Sequence, residues 1–276
     1  MRNQRIGFMQ GRLSPIRNGR IQSFPWGTWQ EEFDIASRLS LRKIEWTIDS
    51  VDFDSNPLLT LSGRQEIICL KSLFNMEIPS VTCDYFMENP PWKSDAGQIL
   101  VGIESILSGM INIDSKILVV PLVDNSSMGF SVKISQVVEF FNPISNLLRK
   151  SGIRIAFETD LSPGPFAEFI REFDADIYGI NYDIGNSASL GFDPTKEFEA
   201  YGTRIINVHI KDRLLGGTTV PLGSGNADFP LVLRCLNEWG YVGNLIMQTA
   251  RADDGNHAGA LNQYRDQVVR WLDEAK

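Results

Sequence analysis

Imidazole is nearly absent from this chain: 276 residues carry two histidines, His209 and His257. A site built on several imidazoles is therefore out of reach. Cysteine is also scarce. Cys69, Cys83 and Cys235 are odd in number and show no CxxC spacing, which excludes a disulfide framework and predicts free thiols in a reducing compartment. Positive charge is in deficit, with 26 Lys and Arg against 34 Asp and Glu, a net charge of -8 and a pI near 4.9. A nucleic-acid backbone is then a poor main partner, because neutralising phosphates needs a basic surface. No apolar stretch approaches the roughly 20 residues of a membrane helix. No basic opening followed by a long apolar run marks a signal peptide. These absences together predict a soluble cytoplasmic protein. Linkers, high-identity repeats and low-complexity segments are missing as well.

What is present is a hydrophobic content of 43%, enough for one large core over residues 1–276. Eight β-like runs occupy 6–10, 43–47, 78–83, 116–123, 153–158, 178–183, 205–211 and 244–249. Amphipathic, helix-like stretches alternate with them at 30–39, 64–74, 98–111, 132–150, 166–173, 195–201, 229–239 and 259–272. Gly152 and Gly240 close helices, and Asp193 with Pro194 opens one. Eight alternations predict a single-domain α/β fold, the (β/α)8 TIM barrel, with a doubly wound open sheet as the competing arrangement.

The stretch "RIINVHIKDR" (204–213) sharpens the reading. In a strand, Ile206, Val208 and Ile210 share one face, and Asn207, His209 and Lys211 share the other. The second face packs poorly, so it looks at water or into a site. "IRIAFE" ends in Glu158, "YGINYD" in Asp183, and "NLIMQT" carries Gln248 on its less apolar face. A barrel would aim Glu158, Asp183, His209 and Gln248 at one space above the strand C-termini. Two carboxylates, one imidazole and one amide oxygen suit a divalent ion of intermediate hardness, Mn²⁺ first, with Mg²⁺, Co²⁺ or Zn²⁺ as alternatives. Burying Glu158 beside Asp183 is costly without a cation between them. Taken singly, each residue has an ordinary explanation as a cap, a surface charge or a core histidine; the joint pattern points to a metal.

"GFMQGRLSP", "FETD", "NYDIGN", "NVHIKDR", "VPLGSGNADFP" and "LIMQTAR", in that order, resemble the xylose isomerase-like superfamily of sugar phosphate isomerases and epimerases. The resemblance spans about Arg5 to Arg251. It implies a barrel with a divalent metal held by Glu158, Asp183, His209 and position 248, and a small sugar or sugar phosphate as substrate. It also implies a homo-oligomer. Two departures matter. Position 248 is Gln where many epimerases have Glu, and an amide can ligate a metal but cannot accept a proton. A two-base epimerisation is weakened, whereas Glu158 alone can shuttle a proton in ketol isomerisation through an enediolate held by the metal. Asn186 in "DIGN" stands where several relatives place histidine. Endonuclease IV, of similar fold, needs several histidines and is excluded.

Further candidates have two readings each. Lys211 and Arg213 either hold substrate or form a strand-end ion pair with Asp212. Arg251 either clamps an anionic group or is a solvated loop residue. Arg12 meets substrate at the barrel mouth or caps its loop. Glu45 hydrogen-bonds sugar hydroxyls or forms a salt bridge. Trp26 and Trp46 wall a sugar ring or pack. "PLGSGNADF" forms a backbone nest for an anion or a plain loop ending in an N-cap at Asn226 or Asp228. His257 reads as a loop or helix-start residue. The leading expectation is a metal-dependent isomerase or epimerase. A dehydratase or lyase on a polyol or keto-acid is the second, and a silent sugar-binding barrel the third.

Overall fold

The computed structural model describes residues 2–275, apart from 18, 91, 93–95 and 130–133. Eight parallel strands close into a barrel: β1 (Ile6–Met9), β2 (Ile44–Ile48), β3 (Ser80–Cys83), β4 (Ile117–Leu122), β5 (Arg154–Thr159), β6 (Tyr178–Asp183), β7 (Ile205–Ile210) and β8 (Leu245–Met247). They follow chain order around the barrel, with β8 pairing β1. Each lies within its expected run or one residue beyond it. Closure removes both sheet edges, so the open-sheet alternative is excluded. The "KDR" segment adds a two-residue strand, Asp212–Arg213, antiparallel to Thr219–Val220.

Helices fall between the strands as the periodicity predicts, apart from the four-residue helix Tyr85–Glu88 and three larger differences. The expected run 132–150 is two helices, Ile134–Phe141 and Ser145–Ser151, separated by a 3-10 turn at Asn142–Ile144. Pro143 sits in that turn and interrupts the helix hydrogen-bond ladder; residues 132 and 133 lie outside the described part. Ile184–Leu190, directly after β6, is a further helix that periodicity did not reveal. Its seven residues are too short for a periodic signal, although Asp183 caps its start and Gly191, at φ 72°, closes it. The third difference is Ala96–Ile113, which has the length and apolarity of a membrane span at 18 residues. Ile99, Ile103, Ile106, Leu107, Met110 and Ile113 are buried, so its apolarity serves core packing.

The main core lies between strands and helices, where Phe8, Trp46, Val81, Phe157, Ile180 and Val208 are buried. Inside the barrel is a smaller apolar cluster of Val119, Ala156 and Ile206. Ile206 corrects the alternation expected for β7. Ile180 pairs with Ile205 and Asn181 with Asn207, so a bulge leaves Ile206 unpaired. Ile206 therefore turns inward, below Asn207 and His209, instead of sharing a face with Val208 and Ile210. Gly179 leaves the space: a Cβ there would lie 2.8 Å from Ile206 Cδ1.

Candidate active site

Above this apolar floor the interior turns polar, which a barrel normally fills with Val, Ile and Leu does not require for packing. Asn181 and Asp183 come from β6, Asn207 and His209 from β7, Glu158 from β5 and Glu45 from β2. All are buried. Metal-capable atoms of Glu158, Asp183 and His209 lie within 4.8 Å of one another.

Glu45 organises this layer. Its Oε1 accepts from His209 Nε2 at 2.6 Å and from Thr82 Oγ1 at 2.5 Å. Its Oε2 accepts from Ser80 Oγ at 2.6 Å and Asn207 Nδ2 at 2.9 Å. The carboxylate has no exposure and no free acceptor direction toward the cavity. The sugar-hydroxyl reading of Glu45 is thereby corrected: β2 extends to Ile48, so Glu45 sits one layer below the mouth and makes the ion-pair contact instead. Burial pushes its pKa up, but the charge and hydrogen bond of His209 and the two hydroxyls bring it below the usual value.

With Nε2 tied to Glu45, His209 turns Nδ1 toward Asn181 Nδ2 at 3.1 Å, Glu158 Oε2 at 3.5 Å and Asp183 Oδ2 at 3.9 Å. A carboxylate on the far nitrogen is the usual way a ligating imidazole is oriented. Burial pulls the His209 pKa down, but Glu45 and then Glu158 and Asp183 raise it to about 9. The pocket thus favours a cation at this nitrogen, a proton or a metal ion.

Glu158 accepts from Asn181 Nδ2 at 2.6 Å and from Asn186 Nδ2 at 2.7 Å. Burial, then the charge of Asp183, raises its pKa. Asp183 serves twice: Oδ1 caps the following helix through Asn186 N at 2.8 Å, and Oδ2 accepts from Lys211 Nζ at 3.0 Å. Lys211 also donates to Asn186 Oδ1 at 3.0 Å and Gln248 Oε1 at 3.2 Å, so all three ammonium hydrogens are engaged. Gly185 lets its stem lie this close, since a Cβ there would fall 2.7 Å from Lys211 Cγ. Arg213 donates to Asn186 Oδ1 at 2.8 Å and to Gly217 O. Asn186, Lys211, Arg213, Gln248 and Glu158 line a cavity of about 380 Å³ at the strand C-termini. That volume falls within the range of small-molecule sites.

Several expected residues go elsewhere. Arg12 is buried and donates to Ile21 O at 2.9 Å; burial and the nearby Arg251 lower its pKa to about 9. Arg251 donates to Ser14 O. Both hold the loop after β1, and neither lines this cavity. Trp46 is fully buried, bonded to Asn56 and packed on Phe24 and Trp29. Trp26 packs on Phe24. "PLGSGNADF" does form a nest, but Asp212 fills it. Gly223, Gly225 and Ala227 donate to its carboxylate at 2.8, 2.9 and 3.1 Å. Asp228 is the N-cap. The "KDR" ion pair is therefore not made. His257 opens the last helix, and its Nδ1 accepts from Ala252 N. Cys69, Cys83 and Cys235 are free thiols.

Asp84 was not anticipated. It directly follows β3 and lines the cavity; a carboxylate immediately after the apolar run 78–83 is its signal in the sequence.

A family model for the xylose isomerase-like TIM barrel matches residues 77–275, and the chain belongs to that family. It spans about half the length of the curated relatives it matches. One, the rhizopine catabolism protein MocC of Rhizobium meliloti, is 29% identical over 143 residues, 43% of this chain and 42% of its own length. Among solved structures, a D-tagatose 3-epimerase-like protein superposes with a TM-score of 0.70 at 19% identity, over 98% of both chains. The IOLI protein with a bound zinc atom superposes at 0.73 and 14% identity, over 99% of both. These structures share the fold, and their number includes an epimerase-like protein and a metal-bound one.

Proposed function

We propose that this chain is a divalent-metal-dependent isomerase or epimerase acting on a sugar or sugar phosphate, with Glu158 as its proton shuttle. One observation carries the reading: Glu158, Asp183 and His209 converge within 4.8 Å beneath an open cavity, with His209 oriented by Glu45. Two buried carboxylates facing one imidazole nitrogen fit a divalent ion, and Mn²⁺ matches their mixed nitrogen and oxygen donors. Gln248 offers a neutral fourth oxygen. A bound ion would act as a Lewis acid on adjacent substrate oxygens.

The chain's own residues supply the rest. Glu158, its pKa raised by burial, takes a proton from the carbon beside the carbonyl and returns it to the neighbouring carbon. Asn181 and Asn186 hold both of its oxygens in place. Lys211, anchored by three acceptors, sets a fixed positive charge beside the oxygens where negative charge develops. Arg213 flanks the same cavity.

The test has two arms. Protein purified without chelator should hold about one divalent ion per chain and lose it in His209→Ala. Glu158→Gln should abolish ketose–aldose interconversion with added Mn²⁺ while the variant stays folded. Unchanged turnover in Glu158→Gln removes the shuttle role. A product one water lighter would move the chain to the lyases.

A further inference from the structure

Two of the site's side chains depend on one short element. Helix Ile184–Leu190 starts directly from β6 and has seven residues. Its Asn186 donates to Glu158 Oε1 and accepts from Lys211 and Arg213, and its backbone N–H donates to Asp183 Oδ1. A helix this short is not rigid by itself, because nucleation is costly and few hydrogen bonds repay it. Gly185, next to Asn186, adds backbone freedom. A cavity of about 20 Å³, room for roughly one water, lies against this junction and is lined by Glu158, Asn186, Ser187, Glu197 and Tyr201. Something outside the helix must hold it still.

That hold comes from behind. Asp183 and Asn186 face the site, whereas the residues flanking them, Tyr182 and Ser187, meet Glu197 instead. Both donate to one atom: Glu197 Oε2 accepts from Tyr182 Oη at 2.8 Å and from Ser187 Oγ at 2.5 Å. Glu197 Oε1 accepts from Tyr201 Oη at 2.7 Å. Glu197 stands on helix Pro194–Tyr201 and is 2% exposed. Among the described residues its side-chain partners are these three hydroxyls and no cation. Burying a carboxylate without a cation is costly, and an apolar side chain of similar size would pack as well beside Leu161, Phe166 and Phe192. Packing therefore does not account for Glu197. An acceptor able to take several hydroxyls at once does, and two of those hydroxyls bracket Asp183 and Asn186.

We propose that Glu197 is a positioning residue of this site: it clamps Tyr182 and Ser187, and through Ser187 it fixes Asn186 and the Glu158 carboxylate that Asn186 holds. The inference rests on the metal-dependent reading above. Glu197 does not line the larger cavity. It acts on a bound ion only by way of the helix, so its loss lets Asn186 and Glu158 drift out of the geometry that faces Asp183 and His209.

The experiment measures Mn²⁺ binding by calorimetric titration of the metal-free full chain, with thermal unfolding recorded beside it. The set is wild type, Ser187→Ala, Glu197→Leu, Glu197→Gln, Asn186→Ala and the double variant Ser187→Ala with Asn186→Ala. Ser187→Ala should weaken Mn²⁺ binding about tenfold or more while remaining folded, as expected for groups that orient metal ligands. Glu197→Leu should lose at least as much, and Glu197→Gln should recover most of it, since its amide oxygen can still accept from Ser187 and Tyr182. Asn186→Ala is weakened by itself, and adding Ser187→Ala should then change the affinity by less than about twofold, because the two act in series. A lower unfolding temperature with unchanged affinity in Ser187→Ala and Glu197→Leu marks a purely structural role; it overturns the inference and leaves the metal reading intact. If Glu197→Leu does not fold, Ser187→Ala decides alone. Equal losses with and without Asn186 also overturn the inference. A wild type that takes up no Mn²⁺ removes both readings.

Discussion

Glu45 and His209, 164 residues apart in the chain, meet at 2.6 Å with no exposure on either side chain. This contact selects the nitrogen that His209 presents to Glu158 and Asp183. A glutamate from β2 thus sets the orientation of an imidazole on β7 that faces carboxylates from β5 and β6.

Under the proposed metal-dependent reading, removing the charge of Glu45 should weaken divalent-ion binding while the barrel stays folded. Glu45→Gln keeps the volume and the Asn207 neighbourhood but weakens the hold on His209. Mn²⁺ affinity should fall about 10- to 100-fold, as for other partners of ligating imidazoles. Calorimetric titration of the metal-free protein measures it; an unchanged dissociation constant in a folded variant would refute the orienting role.

Gln248→Glu should act in the opposite sense. It places a third carboxylate beside Lys211 and Asp183, and affinity for hard divalent ions rises with ligand charge. We expect Mn²⁺ to bind about tenfold tighter or more, by the same titration. No gain would show that Gln248 stays turned toward Lys211 and outside the metal shell.

Glu32 offers a pH test remote from the cavity. It accepts from the backbone of Gly11 and Leu13, each at 2.9 Å, and so holds the loop after β1. Burial nevertheless outweighs those bonds and raises its pKa from 4.5 to about 6. A carboxyl whose folded pKa is raised contributes stability that is complete below its unfolded pKa and lost as pH climbs through 6. The loss amounts to about 2 kcal/mol. Glu32→Gln should be less stable than wild type, because one N–H loses its acceptor, by about 1–3 kcal/mol. The deficit should shrink by about 2 kcal/mol between pH 4 and pH 7 in urea titrations. A deficit constant with pH would contradict the assignment.

Much of the architecture was legible in the chain because it rests on local periodicity. All eight strands appeared as short apolar runs, and Glu158, Asp183, His209 and Gln248 appeared as polar residues where such runs end. Helix Ile184–Leu190 escaped because seven residues give no periodic signal, and the interruption at Pro143 shows that amphipathicity alone overestimates helix length. The inward turn of Ile206 needs a bulge, which is a property of two paired strands. Strand alternation within one segment cannot contain it.

What the sequence by itself determined is the set of groups available at the barrel mouth: one imidazole with two acids beside it, and an amide where a base was expected. Only the tertiary structure decided their tasks. It sent Glu45 beneath His209, gave the glycine-rich nest to Asp212, locked Arg12 and Arg251 into a loop, and brought Asp84 to the cavity. Those assignments depend on distances between residues far apart in the chain. A buried carboxylate goes to whichever donors closure of the barrel places nearest, and that choice is made only when β8 meets β1.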